Sequence, residues 1–255
     1  AVIRANRDFT LTPEGRVVFD YARRILKLRE EAADRVMRVR ASEAGDIRVA
    51  ASTIPATYIL PPAIAEFRRR HPAIRTAVRA ADSSEVIEMV LENGAEIGFI
   101  GKKPASAKLA DEPLWRDRMV LAVPAAHPWA KRRSVRLREI REEPFVIREK
   151  GSATREAFER CLAGGVGADP SGLRVMAEMG SSEAVKEAVI AGVGISVISV
   201  HAIRRELKAG VLAALSIEGC PIERSFHLIY RRQFDLMTHH KIFLDYIRTY
   251  RPPGL

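Results

Sequence analysis

The chain has 255 residues, 47% of them hydrophobic and 29% charged; this globular balance excludes a disordered polymer, and the length suits two compact units or one larger one. Lys and Arg number 42 against 32 Asp and Glu, a formal net charge of +10. Such a surface favours polyanions or acidic ligands, and a solvated Arg-rich exterior accounts for it equally well, so charge alone names no partner.

The sequence begins without Met, and its first residues carry Arg4, Arg7 and Asp8 with no apolar core, so it reads as a fragment of a longer protein without a signal peptide. Residues 9–13 read as extended and lead into a helix start: Thr12 suits the N-cap, Pro13 the first helical position, and Glu14 the positive helix end. The helix is expected to run to about residue 40. Its apolar residues Val18, Tyr21, Ile25, Leu28, Ala32, Val36 and Val39 recur at alternating spacings of three and four, a narrow heptad-type seam that calls for a partner helix. Gly45 reads as the breaker after this helix.

From there strands alternate with helices. Strands are expected at 47–51, 74–80 and 97–100, with helices at 55–71 and 83–93 between them. A short apolar strand follows at 119–123. The same order recurs with strands at 145–148, 173–178 and 195–200 and helices at 154–162, 182–191 and 201–208. Strands at 211–217 and 225–230 and a helix near 236–250 complete the chain. Repeated strand–helix–strand units imply parallel strands with right-handed crossovers, and two such units imply a cleft between lobes.

Ligands bind such sheets at the carboxyl ends of strands. Three loops there are rich in hydroxyls or glycine: Ser52, Thr53 and Ile54; Arg148, Gly151, Ser152 and Thr154; and Ser181 and Ser182. Each offers hydroxyls and backbone N–H groups at a helix start, where partial positive charge favours an anion. Arg148 and Arg155 add forked donors for a carboxylate or oxyanion. Helix capping explains any one of these hydroxyls taken singly; three loops at one level point to a small anionic ligand.

No phosphate loop, zinc-protease helix or nucleophile elbow is present, so no enzyme, metal or cofactor is expected. His239, His240 and Asp235 could share a helix face and hold a metal, but a solvated terminal helix explains them better. The two cysteines, Cys161 and Cys220, are far apart and outside any CxxC; this speaks against a disulfide framework and fits a reducing cytoplasm. No run is long enough to span a membrane.

Leu11-Thr12-Pro13-Glu14-Gly15, residues 45–52 and four later segments together resemble LysR-type transcriptional regulators. Leu11-Thr12-Pro13-Glu14-Gly15 resembles the family's junction between wing and linker helix, and residues 45–52 resemble the entry to its effector domain. Ile59-Leu60-Pro61-Pro62 with Phe67 and Pro72, Glu96-Ile97-Gly98-Phe99-Ile100, Val120-Leu121-Ala122-Val123-Pro124 with His127-Pro128, and Ala191-Gly192-Val193-Gly194-Ile195 follow in the family's order.

The resemblance implies an α/β fold, a two-lobed effector domain like the type II periplasmic binding proteins, preceded by a long linker helix. Residues 1–13 would be a remnant of the winged helix-turn-helix, 14–44 the linker and dimerisation helix, 45–122 with 224–255 the first lobe, and 123–223 the second. It also implies a cytoplasmic homodimer or homotetramer on promoter DNA, answering to a small metabolite. Ser52, Thr53, Ser152, Thr154 and Ser181 would touch that effector, and Arg4, Asn6 and Arg7 would meet DNA in the intact protein. A solute-binding protein of a transporter shares the two-lobed fold and is the alternative; it would need an export signal.

Overall fold

The computed structural model describes residues 2–5, 8–38, 44–165 and 172–252. The chain divides into two compact units, Ala1–Ala44 and Gly45–Leu255.

In the first unit, strands β1 (Val2–Ala5) and β2 (Asp8–Leu11) form an antiparallel ribbon with Val2 opposite Leu11. Helix α1 (Pro13–Arg38) follows. Its start is the expected one: Thr12 Oγ1 accepts from the Gly15 N–H at 3.0 Å, supplying one of the helix's unpaired first-turn donors with a partner. The seam residues Val18, Tyr21, Ile25 and Leu28 are exposed, as are Val17, Phe19 and Leu26. Arg4 is placed in β1, whereas Asn6 and Arg7 lie outside the described residues.

The second unit opens with β3 (Gly45–Ser52), a π-helical turn at Pro55–Ile59, α2 (Leu60–Arg70), β4 (Ile74–Ala81), α3 (Ser83–Leu91) and β5 (Ile97–Ile100). Strand β3 pairs in parallel with both β4 and β5, as the strand–helix–strand order requires. Next come β6 (Leu109–Pro124), β7 (Ser134–Val135), α4 (Leu137–Glu142), β8 (Phe145–Arg148), α5 (Ala153–Gly165) and β9 (Val175–Met179). The chain continues through α6 (Ser182–Ile190), β10 (Ser196–Ser199), α7 (Val200–Lys208), β11 (Leu212–Ile217), β12 (Ile222–Arg231) and α8 (Thr238–Thr249).

Two α/β halves share one antiparallel ladder. Strands β6 and β12 pair from Leu109–Arg231 to Met119–Ile222, with a register shift at Phe226/His227. One end of the ladder pairs with β5 through His227–Tyr230. At the other end, residues 119–124 of β6 receive β10 and β11. Strands β8 and β9 pair in parallel, and a bridge from Phe145 to Ile195 joins them to the approach to β10. The second half has its own core, around Phe145, Phe158, Leu162, Val197, Leu215 and Ile217. A larger core under α2 and α8, built on Ile47, Phe67, Phe99, Trp115 and Phe243, extends to Val185, Val189 and Ile198.

Four expectations change. The strand expected at 119–123 is the second half of the 16-residue β6; its first half is broken in pattern by Asp111, Glu112 and Pro113, so only the apolar end reads as a strand. Gly45 starts β3 rather than ending a helix, and a Cβ there would meet the His239 ring at 2.5 Å. His239 and His240 are buried, not solvated. Cys161 on α5 and Cys220 in the turn before β12 form a disulfide, with Cα atoms 5.6 Å apart across a sequence separation of 59. Sequence distance misled here because β11 and β12 return the chain to α5.

Candidate functional site

A small cleft lies where the two halves meet, lined by Ser52, Thr53, Ile54, Asp82, Ser83, Arg148, Ser152, Ala153, Thr154 and Arg224. Each lining group sits there for a local reason. Ser52 ends β3, and Thr53 and Ile54 carry the chain into the π-helical turn. Asp82 caps α3, accepting from the N–H groups of Ser84 at 2.6 Å and Glu85 at 3.0 Å, and Ser83 Oγ accepts from the Gly101 N–H at 3.3 Å. Arg148 ends β8. Gly151, at φ 92°, turns the chain toward α5 in a conformation other residues rarely adopt, and Ser152, Ala153 and Thr154 form the start of that helix. Three helical starts therefore face one small space, each with its partial positive end toward it, although at α3 the Asp82 cap already takes the first-turn N–H groups.

Two buried arginines complete the cleft. Arg148 sends Nη1 to Ser182 Oγ at 2.8 Å and to Thr53 Oγ1 at 3.2 Å, while Glu149 takes Nε and Nη2 at 2.6 and 2.5 Å. Arg224, on β12, reaches Thr154 Oγ1 at 3.2 Å and pairs through Nε with Asp117 at 2.8 Å. Asp117 is fully buried and also accepts from Ser199 Oγ at 2.6 Å. Gly101 leaves room for this guanidinium: a Cβ would stand 2.9 Å from Arg224 Nη1.

Other polar contacts tie the halves together beside the cleft. Thr53 and Ser182 hydroxyls lie 2.9 Å apart. Lys102 Nζ bridges Ser84 Oγ at 3.1 Å and Glu156 at 2.5 Å. The Tyr58 hydroxyl donates to Glu183, which also pairs with the buried Lys186 at 2.7 Å. Burial first, then the Glu183 carboxylate, pushes the Tyr58 phenol well above its ordinary range. The phenol therefore stays a proton donor across the folded range of pH.

Of the residues singled out from sequence, Ser52, Thr53, Ile54, Arg148, Ser152 and Thr154 line the cleft. Ser182 stands behind it, bonded to Arg148 and Thr53. Ser181 caps α6 through the Ala184 N–H at 3.1 Å, the bland role open to any such serine. Gly151 lies beside Asp82 without lining the space. Arg155 is engaged elsewhere, with Glu159 and Glu178 at 2.8 Å each. Asp82, Ser83, Ala153 and Arg224 were not singled out. Asp82 and Ser83 had a visible sign, an N-cap residue ahead of an apolar helix, whereas Arg224 sits in an ordinary-looking strand far along the chain. Among the described residues no group of three or more His, Cys, Asp or Glu could hold a metal, and no helix is long and apolar enough to cross a membrane.

Comparison with known proteins gives a consistent picture. Residues 40–251 match the family model described as the LysR substrate binding domain. The RuBisCO operon transcriptional regulator of Allochromatium vinosum is 33% identical over 230 residues, covering 90% of this chain and 74% of that protein. The HTH-type transcriptional regulator CysL of Bacillus subtilis (strain 168) is 31% identical over 248 residues, covering 96% and 81%. Among solved structures, the CcmR regulatory domain of Synechocystis PCC6803, in complex with 2-PG, superposes with a TM-score of 0.72 at 28% identity, covering 80% of this chain and 96% of that one. Full-length CbnR complexed with its target DNA reaches 0.72 at 19% identity, covering 95% and 82%, a likeness of fold.

Proposed function

The chain belongs to the LysR-type transcriptional regulators, and from that premise we propose that its second unit senses a small anionic metabolite in the cleft between two lobes. The fold is the two-lobed α/β one of type II periplasmic-binding-protein-like effector domains. In this reading residues 45–122 with 224–255 make the first lobe and 123–223 the second. The carrying observation is the convergence of three helix starts and two buried arginines on one space. The lining groups stand close around that space, so a compact occupant suits it better than a drug-sized one. The relative CcmR was solved in complex with 2-PG, which supports a small ligand in the corresponding domain.

In this reading the protein is no enzyme. It acts in the cytoplasm as a homodimer or homotetramer, and the intact protein meets promoter DNA through an N-terminal domain to which Arg4, Asn6 and Arg7 contribute. Ligand held between the lobes alters their closure, and the linker helix carries that change to the DNA-binding end. The names of the relatives, all regulators, favour this over a transporter's solute-binding protein.

Calorimetry and thermal unfolding of the 255-residue chain with a panel of oxyanions and carboxylates, 2-PG included, test the proposal. Thr154→Ala and Ser152→Ala, which remove cleft hydroxyls, should each weaken binding by about three- to thirtyfold. No response to any member of the panel, or variants that bind like the parent, would sink it.

A further inference from the structure

The two cleft arginines are compensated in different ways. Arg224 is paired with Asp117, whose side chain is 0% exposed and held by Ser199 as well; that carboxylate has nowhere to go. Arg148 is paired with Glu149, the next residue in the chain, whose side chain is 21% exposed while that of Arg148 is 4% exposed. Glu149 grips the guanidinium on its Nε–Nη2 edge with both oxygens, at 2.6 and 2.5 Å. This is the forked geometry by which an oxyanion or carboxylate ligand engages arginine. The remaining bonds of Arg148 go to the neutral hydroxyls of Thr53 and Ser182. The Glu149 backbone is fixed separately, its N–H on the Met179 carbonyl at 3.2 Å, so the carboxylate can move without the strand end moving.

We propose that Glu149 is a built-in counter-anion of the cleft: it cancels the charge of Arg148 and so sets the concentration of anion to which the cleft responds. Resting on the reading of the cleft as an anion site, this adds the residue that tunes its affinity. A ligand must compete with Glu149 for Arg148, through the fork itself or through the field of the neutralised pair. Asp117 takes no part in that competition, because moving it would strand a buried charge.

The experiment is calorimetric titration of the 255-residue chain with inorganic phosphate and with sulfate at fixed ionic strength, for the parent, Glu149→Gln, Glu149→Ala, Glu149→Asp and Arg148→Gln. Circular dichroism establishes that each is folded, and Glu149→Ala serves as the neutral variant should Glu149→Gln not fold. Neutral replacement should tighten binding roughly tenfold. Glu149→Asp, which restores the charge, should return affinity toward the parent, an effect no merely structural role predicts. Arg148→Gln should lose binding, and adding Glu149→Gln to it should recover nothing. Binding seen only in the neutral variants also supports the proposal. Parent binding that is unchanged or weakened by neutral replacement overturns it while leaving the anion cleft standing. If no variant binds either anion, the cleft reading falls and Glu149's role with it.

Discussion

Glu96, just ahead of β5, is buried between donors drawn from distant parts of the chain. One carboxylate oxygen accepts the Arg48 N–H at 2.5 Å, the other accepts Arg48 Nε at 2.7 Å, and the ring of His240 stands 3.9 Å away. Burial by itself would raise its pKa; the nearby His240 ring and the hydrogen bonds from Arg48 outweigh that and hold it down to about 2. The folded value lies below the unfolded one, near 4.3, so the stabilisation is complete above the unfolded pKa and is lost as pH falls toward the folded one. Glu96→Gln should cost on the order of 2–3 kcal/mol at neutral pH. Denaturant titrations of parent and variant from about pH 7 down to 3 should show the gap closing below about pH 4.5. A gap that stays constant over that range would mean the charge of Glu96 contributes nothing. The sequence announced Glu96 only as a member of a family-like segment. Its partners Arg48 and His240 lie 48 and 144 residues away, and no local pattern connects them.

At the scale of elements, most of the fold was legible because local rules and the global arrangement agree. Thr12 and Pro13 start α1, Asp82 caps α3, and Ser181 caps α6. The loops after β3 and β8 lie at the cleft because strand ends in such sheets point there. Two features were not legible. The charged half of β6 follows no single period, and the Cys161–Cys220 bridge depends on a return of the chain that spacing does not encode. That bridge ties α5, whose first turn lines the cleft, to the turn four residues ahead of Arg224. Closing a loop of 59 residues restricts the unfolded chain by about 4 kcal/mol in the chain-entropy account, with ~2–4 typical of measurement. Cys161→Ser, which alters the more exposed partner, should lower unfolding stability by about 2–4 kcal/mol. A reductant should do the same to the parent and nothing to the variant. Equal denaturant midpoints for oxidised and reduced parent would show that the bridge carries no stability.

For the whole molecule, the apolar face of α1 is the largest unexplained feature. Ile25 and Leu28 are 63% and 65% exposed, and Val18 and Tyr21 are similarly bare. Burying one such side chain is worth roughly 1.5–3 kcal/mol, so four of them on one stripe are a substantial driving force toward a partner. Their heptad spacing selects a second helix with the same seam, for which another copy of this chain is the simplest source. Exposed Val17, Phe19 and Leu26 widen the stripe beyond a strict two-helix seam, so pairs of dimers are compatible with it as well. Charge at the seam centre discriminates. Ile25→Asp with Leu28→Asp places like charges across any symmetric pairing, where they repel and desolvate. Sedimentation equilibrium should give a dimer or tetramer for the parent and a lower-order species for the double variant. Phosphate titration should be unchanged within error, because the cleft residues belong entirely to the second unit. A parent that is monomeric throughout the accessible concentration range would leave the seam without its partner and count against the proposed relay through the linker helix.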